Sequence, residues 1–255
     1  MKSLYALIYY DMKRRSKDGF MLGYNIIFPI IMIMLLGYLL AGSYGKTFTS
    51  YHYYTLVMLP FCIAMAMITA SYAGKDEAYK KTAVRLLFAP ISSVQIVLSK
   101  LFSCTIIISL CTVLVLLFAE LVLKLPLAGR LFPVILLLSA ETFCICAIGL
   151  FIGLGMKNFL LIKNLLNLPI CIAGILGGAF FPFGTLNQKL GILIKLSPLT
   201  WINRSMFLYL YDGSSILLWR TIVELMLIGF IFTLLAVKLF KKEEFIHGSL
   251  PGYQK

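Results

Sequence analysis

Acidic side chains and histidines are scarce in this chain, with 10 Asp and Glu and two His among 255 residues. Little is left from which to build acid–base or metal chemistry. His52 and His247 stand alone, without the neighbours that a Ser-His-Asp set, a His-Glu-x-x-His motif or a zinc site requires. The six cysteines, Cys62, Cys104, Cys111, Cys144, Cys146 and Cys171, all fall inside apolar runs, so they outline no disulfide framework. Cys144 and Cys146 point about 200° apart on a helix, and Cys104 and Cys111 share a face but lie about 10 Å apart along it. They read as buried thiols. A phosphate-binding loop is missing as well: Gly45-Lys46-Thr47 has the right ending, but Leu40 stands where the leading Gly is required. The chain contains no engine for ATP.

Apolar residues are abundant instead, at 61% of the chain against 13% charged. They form runs of about 20, the length that crosses a hydrocarbon layer of about 30 Å as helix. Backbone groups in lipid must be satisfied within their own segment, so the fold class is all-α and integral to a membrane. Six spans are expected, at 20–41, 53–73, 101–123, 131–155, 159–181 and 216–238. The first is too long for the apolar part of a cleaved leader. The net charge of +13 does not indicate nucleic acid, because the cations collect at the ends of the apolar runs. With six spans, one side carries 16 of the 23 Lys and Arg, in the N-terminal segment, the 74–100 loop, the 157–163 turn and the C-terminal tail. The positive-inside rule then places both termini in the cytoplasm.

Before the first span, Leu4, Leu7, Ile8 and Met12 recur at helical spacing and Lys13, Arg14, Arg15 and Lys17 follow. This pattern predicts an interfacial helix over 1–19, with its apolar stripe in lipid and its cations near anionic headgroups. Two connections are long: 74–100 inside and 182–215 outside. In the inner one Ala83, Leu86, Leu87 and Pro90 give a basic, amphipathic helix with a stop signal, after which Ser92 or Ser93 caps the next helix. Such a helix can dock in a groove on a soluble partner. In the outer one Leu190 to Leu196 is too short to span and too apolar for a solvated loop, which predicts a re-entrant helical hairpin.

Among the residues within the spans, Glu141 lies near mid-membrane, where a carboxylate persists only with a partner or a wet cavity. Glu224 follows Arg220 by four residues and can pair with it. Gly149 with Gly153, and Gly174 with Gly178, mark close helix contacts, within one subunit or between two.

The inner loop carries Glu77, Thr82, Arg85-Leu86-Leu87-Phe88-Ala89-Pro90 and then Lys100, and the outer region carries Gly178-Ala179-Phe180-Phe181-Pro182 and Ser197-Pro198-Leu199-Thr200. In order and spacing the chain resembles the permease subunits of ABC-2 type transporters, of the drug and antimicrobial-peptide efflux type. It departs from them at Lys81 and Ser99, where Gly is common, and at Val84, where an acid is common. The resemblance implies one transmembrane domain over 1–255, with spans one to five in 20–181, the exit hairpin at 182–215, and the last span and a cytoplasmic tail in 216–255. It further implies coupling to an ATPase through Glu77, Lys80, Lys81, Thr82, Arg85, Leu86, Leu87 and Pro90. The translocation path or exit would take in Glu141, Phe180, Phe181, Pro182 and Pro198. This chain would hold no cofactor; ATP and Mg²⁺ would sit on two copies of a cytoplasmic ABC ATPase subunit. Its other partners would be a second permease chain, identical or homologous, and membrane lipid, with no nucleic acid. The cargo class implied is an amphipathic drug, antimicrobial peptide or lipid-like molecule, exported from the cell. Two alternatives are a membrane-embedded enzyme acting on lipid or peptide, and an ion-coupled secondary transporter; the first should show clustered polar residues in the spans and the second inverted repeats.

Overall fold

The computed structural model describes residues 2–45, 48–79, 91–127, 129–156, 159–180, 194 and 197–240. These residues form helices α1 (Lys2–Arg15), α2 (Gly19–Leu39), α3 (Ser50–Tyr79), α4 (Ser93–Leu121), α5 (Leu131–Gly155), α6 (Phe159–Leu176), α7 (Pro198–Tyr211) and α8 (Ile216–Leu239). Among the described residues, five helices are long and apolar enough to cross a membrane: α2, α3 over Ser50–Lys75, α4, α5 and α8. No strand occurs among those residues.

The expected span over 159–181 is shorter in the structure. α6 stops at Leu176, and its apolar part, Asn164–Leu176, is too short to cross alone. The cause lies at both ends of the segment. Lys163, Asn164 and Asn167 interrupt the apolar run, and Gly178 adopts a φ of 80°, a conformation that turns the chain out of a helix at no cost to glycine.

α3 and α5 form the centre. They run in the same direction and touch through glycines: a methyl group on Gly149 would stand 2.6 Å from the Met67 carbonyl oxygen, and Gly74 and Gly153 face each other across the same seam. α8 lies on the other side of α5, with its Gly229 against Phe143 and the Cys144 backbone. α4 runs antiparallel to these helices and is fixed at its start by a capping box, in which Ser92 Oγ accepts from the Gln95 amide and the Gln95 side chain accepts from the Ser92 amide. In α3, 72% of the apolar stretch is buried inside the bundle, against 22% in α2 and 28% in α8. The outer two therefore present their apolar faces, including Ile27, Ile31 and Leu35 of α2 and Leu227, Phe230 and Leu234 of α8, away from the core.

α2 contains one π turn, Gly23–Ile27, immediately before Pro29. Proline has no amide hydrogen to give, and a π turn shifts the bonding by one residue, leaving carbonyls short of donors. Asn25 is buried within this turn, and its side chain donates to the Met21 carbonyl one turn earlier at 2.8 Å.

Candidate functional site

The two ends of the bundle differ, and each carries part of the candidate site. At the end holding α1, hereafter the α1 end, three cations are buried: Arg15, Lys75 and Lys100. Lys100, 1% exposed, sits in the second turn of α4 and donates to the Ala73 carbonyl of α3 at 3.0 Å. This bond joins the two helices from which the 74–100 loop departs. Arg15 donates from Nε to Ser103 Oγ at 3.3 Å, and Ser99 Oγ donates to the Asp11 carboxylate at 3.3 Å, so α1 is held along the first turns of α4. Asp11 is shared, because Arg14 approaches it to 3.2 Å. The Lys100 and Arg15 bonds are buried, and charge-assisted bonds removed from water are stronger than their exposed equivalents.

The apolar stripe expected to lie in lipid points elsewhere. Leu4, Leu7, Ile8 and Met12 form the less exposed face of α1, and Met12 packs into the cluster around Leu101 and Cys104; Tyr5, Tyr9 and Tyr10 are the exposed residues. An amphipathic pattern identifies the face that avoids water but not what covers it. Glu77 lies in the last turn of α3. Lys80, Lys81, Thr82, Arg85, Leu86, Leu87 and Pro90 lie outside the described residues.

At the far end, α7 closes off α6. The last carbonyls of any α-helix lack partners within it. Here Ser197 Oγ donates to the Ala173 carbonyl at 3.2 Å, Thr200 Oγ1 to Leu176 at 3.2 Å and Asn203 Nδ2 to Gly177 at 2.7 Å. The three donors recur every third residue and so share one face of α7. The Tyr53 hydroxyl adds a bond to the Gly178 carbonyl at 3.0 Å. Arg130, at the start of α5, donates to the Tyr209 and Leu210 carbonyls and caps α7 in turn. The Ser-Pro-Leu-Thr segment is thus a helix start whose hydroxyls serve another helix's end. Thr200 and Asn203 lie beyond the expected site residues; their signal is a polar residue at every third position from Ser197 to Asn203.

Aromatic rings fill the space beside this cap. Phe48 meets Tyr211 edge-on with centroids 5.0 Å apart, Tyr53 stacks on Phe207 at 5.6 Å, and Tyr44 lies against Tyr53 at 5.6 Å. Burial pushes the Tyr44 phenol up to about 12, with Tyr54 nearby adding to the shift, and burial alone pushes Tyr211 up to about 12. His52 joins the far ends of α3 and α4 through Nε2 and the Leu123 carbonyl, 3.0 Å apart.

Of the expected path residues, Phe180 is half-buried with its ring against Phe61 at 5.2 Å, Pro198 is the exposed first residue of α7, and Phe181 and Pro182 lie outside the described residues. Glu141 is 1% exposed, inside the subunit at the α3–α5 seam. Gly149 and Gly153 make helix contacts to α3, whereas Gly174 faces the Phe61 ring and Gly178 lies in the turn beyond α6. Arg220 and Glu224 pair at 2.8 Å on the exposed face of α8. The six cysteines are free thiols, and among the described residues no group of His, Cys, Asp and Glu is placed to hold a metal.

A model of the family described as ABC-2 type transporter matches residues 2–211, from the first turn of α1 to the end of α7. No curated protein matches the chain.

Proposed function

This chain belongs to the ABC-2 type transporter family, and from that premise we propose that it is the permease subunit of an ATP-driven exporter. The α1 end faces the cytoplasm, where the excess of Lys and Arg would lie with six spans. α6, taken over its full length Phe159–Leu176, supplies the sixth crossing, and 182–215 forms a hairpin returning from the outer face, with α7 as its second limb. Two such chains, identical or homologous, enclose one path. Two copies of a cytoplasmic ATPase, carrying ATP and Mg²⁺, drive them.

The observation that carries this reading is the bond from Lys100 to the Ala73 carbonyl. A force applied to the Glu77–Pro90 segment reaches α3 and α4 together, because their roots are tied, and α1 is tied to α4 beside them. In this reading Glu77, Lys80, Lys81, Thr82, Arg85, Leu86, Leu87 and Pro90 meet the ATPase. Phe180, Phe181, Pro182 and Pro198 shape the exit, and Glu141 meets the path only when α3 and α5 part. The cargo is an amphipathic molecule such as a drug, an antimicrobial peptide or a lipid-like compound, which suits a wall with few charges.

Co-purification tests the proposal. Tagged chain extracted in mild detergent is expected to bring down an ATPase with a complete phosphate-binding loop, and Ala83→Cys is expected to crosslink to it. Recovery of the folded chain with no ATPase, together with no crosslink from position 83, overturns the reading. Deletion of the protein is then expected to sensitise cells to particular amphipathic compounds, which would identify the cargo class.

A further inference from the structure

Glu141 is 1% exposed in the core of the bundle, and neither of its carboxyl oxygens meets a hydrogen-bond partner among the described residues. No Lys, Arg or His among those residues pairs with it. The titratable groups brought toward it are thiols: Cys62 from α3 and Cys144 from α5 itself lie within electrostatic reach. α4 carries Cys104 and Cys111 farther along the core, α6 carries Cys171, and Tyr24 of α2 lies near Cys62 and Cys171. α8 contributes Arg220 and Glu224, which are bonded to each other. An ionised carboxylate in this setting would have lost its water and gained no donor or counter-charge. A metal ion would need further ligands, and the described residues offer no such group.

We propose that Glu141 is a proton-binding site, carrying a proton while α3 and α5 are packed together and releasing it when their seam opens to water. The seam can open there while staying closed elsewhere. Glu141 lies about 12 Å along α5 from Gly149, where the backbones touch, and toward the far end. On opening, the carboxyl O–H bond breaks, the proton passes to water and a solvated carboxylate remains; on closing, one proton per chain is taken up from water. Acid therefore favours the closed seam, by about tenfold per pH unit over the range in which one form is protonated and the other ionised. The proposal depends on the transport reading only in supposing that the seam opens in use. The bound proton is a property of the packed bundle.

The full chain in lipid nanodiscs provides the test without any partner. In the infrared difference between the wild type and Glu141→Gln, the carbonyl stretch of an un-ionised carboxylic acid is expected at neutral and mildly alkaline pH; Glu120→Gln, the control, is expected to retain it. Absence of that band at neutral pH, or its persistence in Glu141→Gln, overturns the proposal. A permeant maleimide then reads the seam through the native Cys62 and Cys144, mapped by mass spectrometry and normalised to Cys111. Their relative labelling is expected to climb with pH in the wild type and to stay flat in Glu141→Gln. An identical profile in both proteins overturns the proposal. Should Glu141→Gln fail to assemble, Glu141→Leu carries the same comparison, because an apolar replacement leaves no buried polar group behind. Failure to find an ATPase would sink the transport reading and leave the infrared band untouched.

Discussion

Gly153 of α5 lies against Ser71 of α3 so closely that a methyl group at position 153 would collide with the Ser71 carbonyl oxygen. Backbone, unlike the end of a long side chain, cannot swing aside. Gly153→Ala and Gly149→Ala are each expected to destabilise the protein by about 1–3 kcal/mol through overpacking, read as a fall in melting temperature in detergent or nanodiscs. Gly155→Ala meets only Leu239 side-chain atoms at 3.5 Å and beyond, and is expected to leave the melting temperature unchanged.

Lys100→Met keeps an unbranched side chain one atom shorter and removes its charge, leaving the Ala73 carbonyl without this donor. The expected outcome is a cost of about 1.5–3 kcal/mol, the range for a bond to a charged group. With the ATPase still bound, less cargo is expected to move per ATP hydrolysed. Transport and ATP hydrolysis measured together in proteoliposomes check this; an unchanged ratio would show that the tie is not used in coupling.

Arg15→Ala removes the bond to Ser103, and Asp11→Ala removes the acceptor used by Ser99 and Arg14. Each is expected to loosen α1 from α4 without unfolding the spans. Amide exchange in peptides covering 2–15 should then rise about tenfold or more, corresponding to about 1.4 kcal/mol of lost docking, while peptides from α5 keep their protection.

The Tyr44 and Tyr211 phenols, pushed up to about 12, hold their protons in the folded protein after a free phenol has lost its own near 10.0. Their contribution to stability is full below pH 10.0 and falls as the pH climbs toward about 12. Absorbance titration of the phenolate is expected to show late-ionising tyrosines, one fewer in Tyr44→Phe and one fewer in Tyr211→Phe. Both variants should also weaken the alkaline loss of thermal stability.

Much of this arrangement is legible in the sequence, for reasons that differ by element. α3, α4, α5 and α8 are announced by unbroken apolar runs, and Ser92 or Ser93 announces the start of α4, where the structure selects Ser92. Arg220 and Glu224 are legible because four residues make one helical turn. The end of α6 is not, because Phe180 and Phe181 prolong the apolar run past the turn that Gly178 makes. The cap formed by Ser197, Thr200 and Asn203 depends on knowing where α6 ends, so its regular spacing carries no meaning until that point is fixed. The stripe of α1 gives a face but no partner. Gly149 and Gly153 stand out as small residues, yet only the fold supplies Met67 and Ser71 as what they touch.

The glycine crossing also has a mechanical side. From Ser71, α3 reaches on the order of 30 Å back to Ser50 but only about 12 Å forward to Tyr79. Turning about that crossing as a rod, it is a lever of unequal arms, and a displacement of about 1 Å at Tyr79 sweeps Ser50 through roughly 2–3 Å in the opposite sense. The Lys100 ammonium, bonded two residues beyond Ser71, grips this rod near its fulcrum, where holding on resists the swing least.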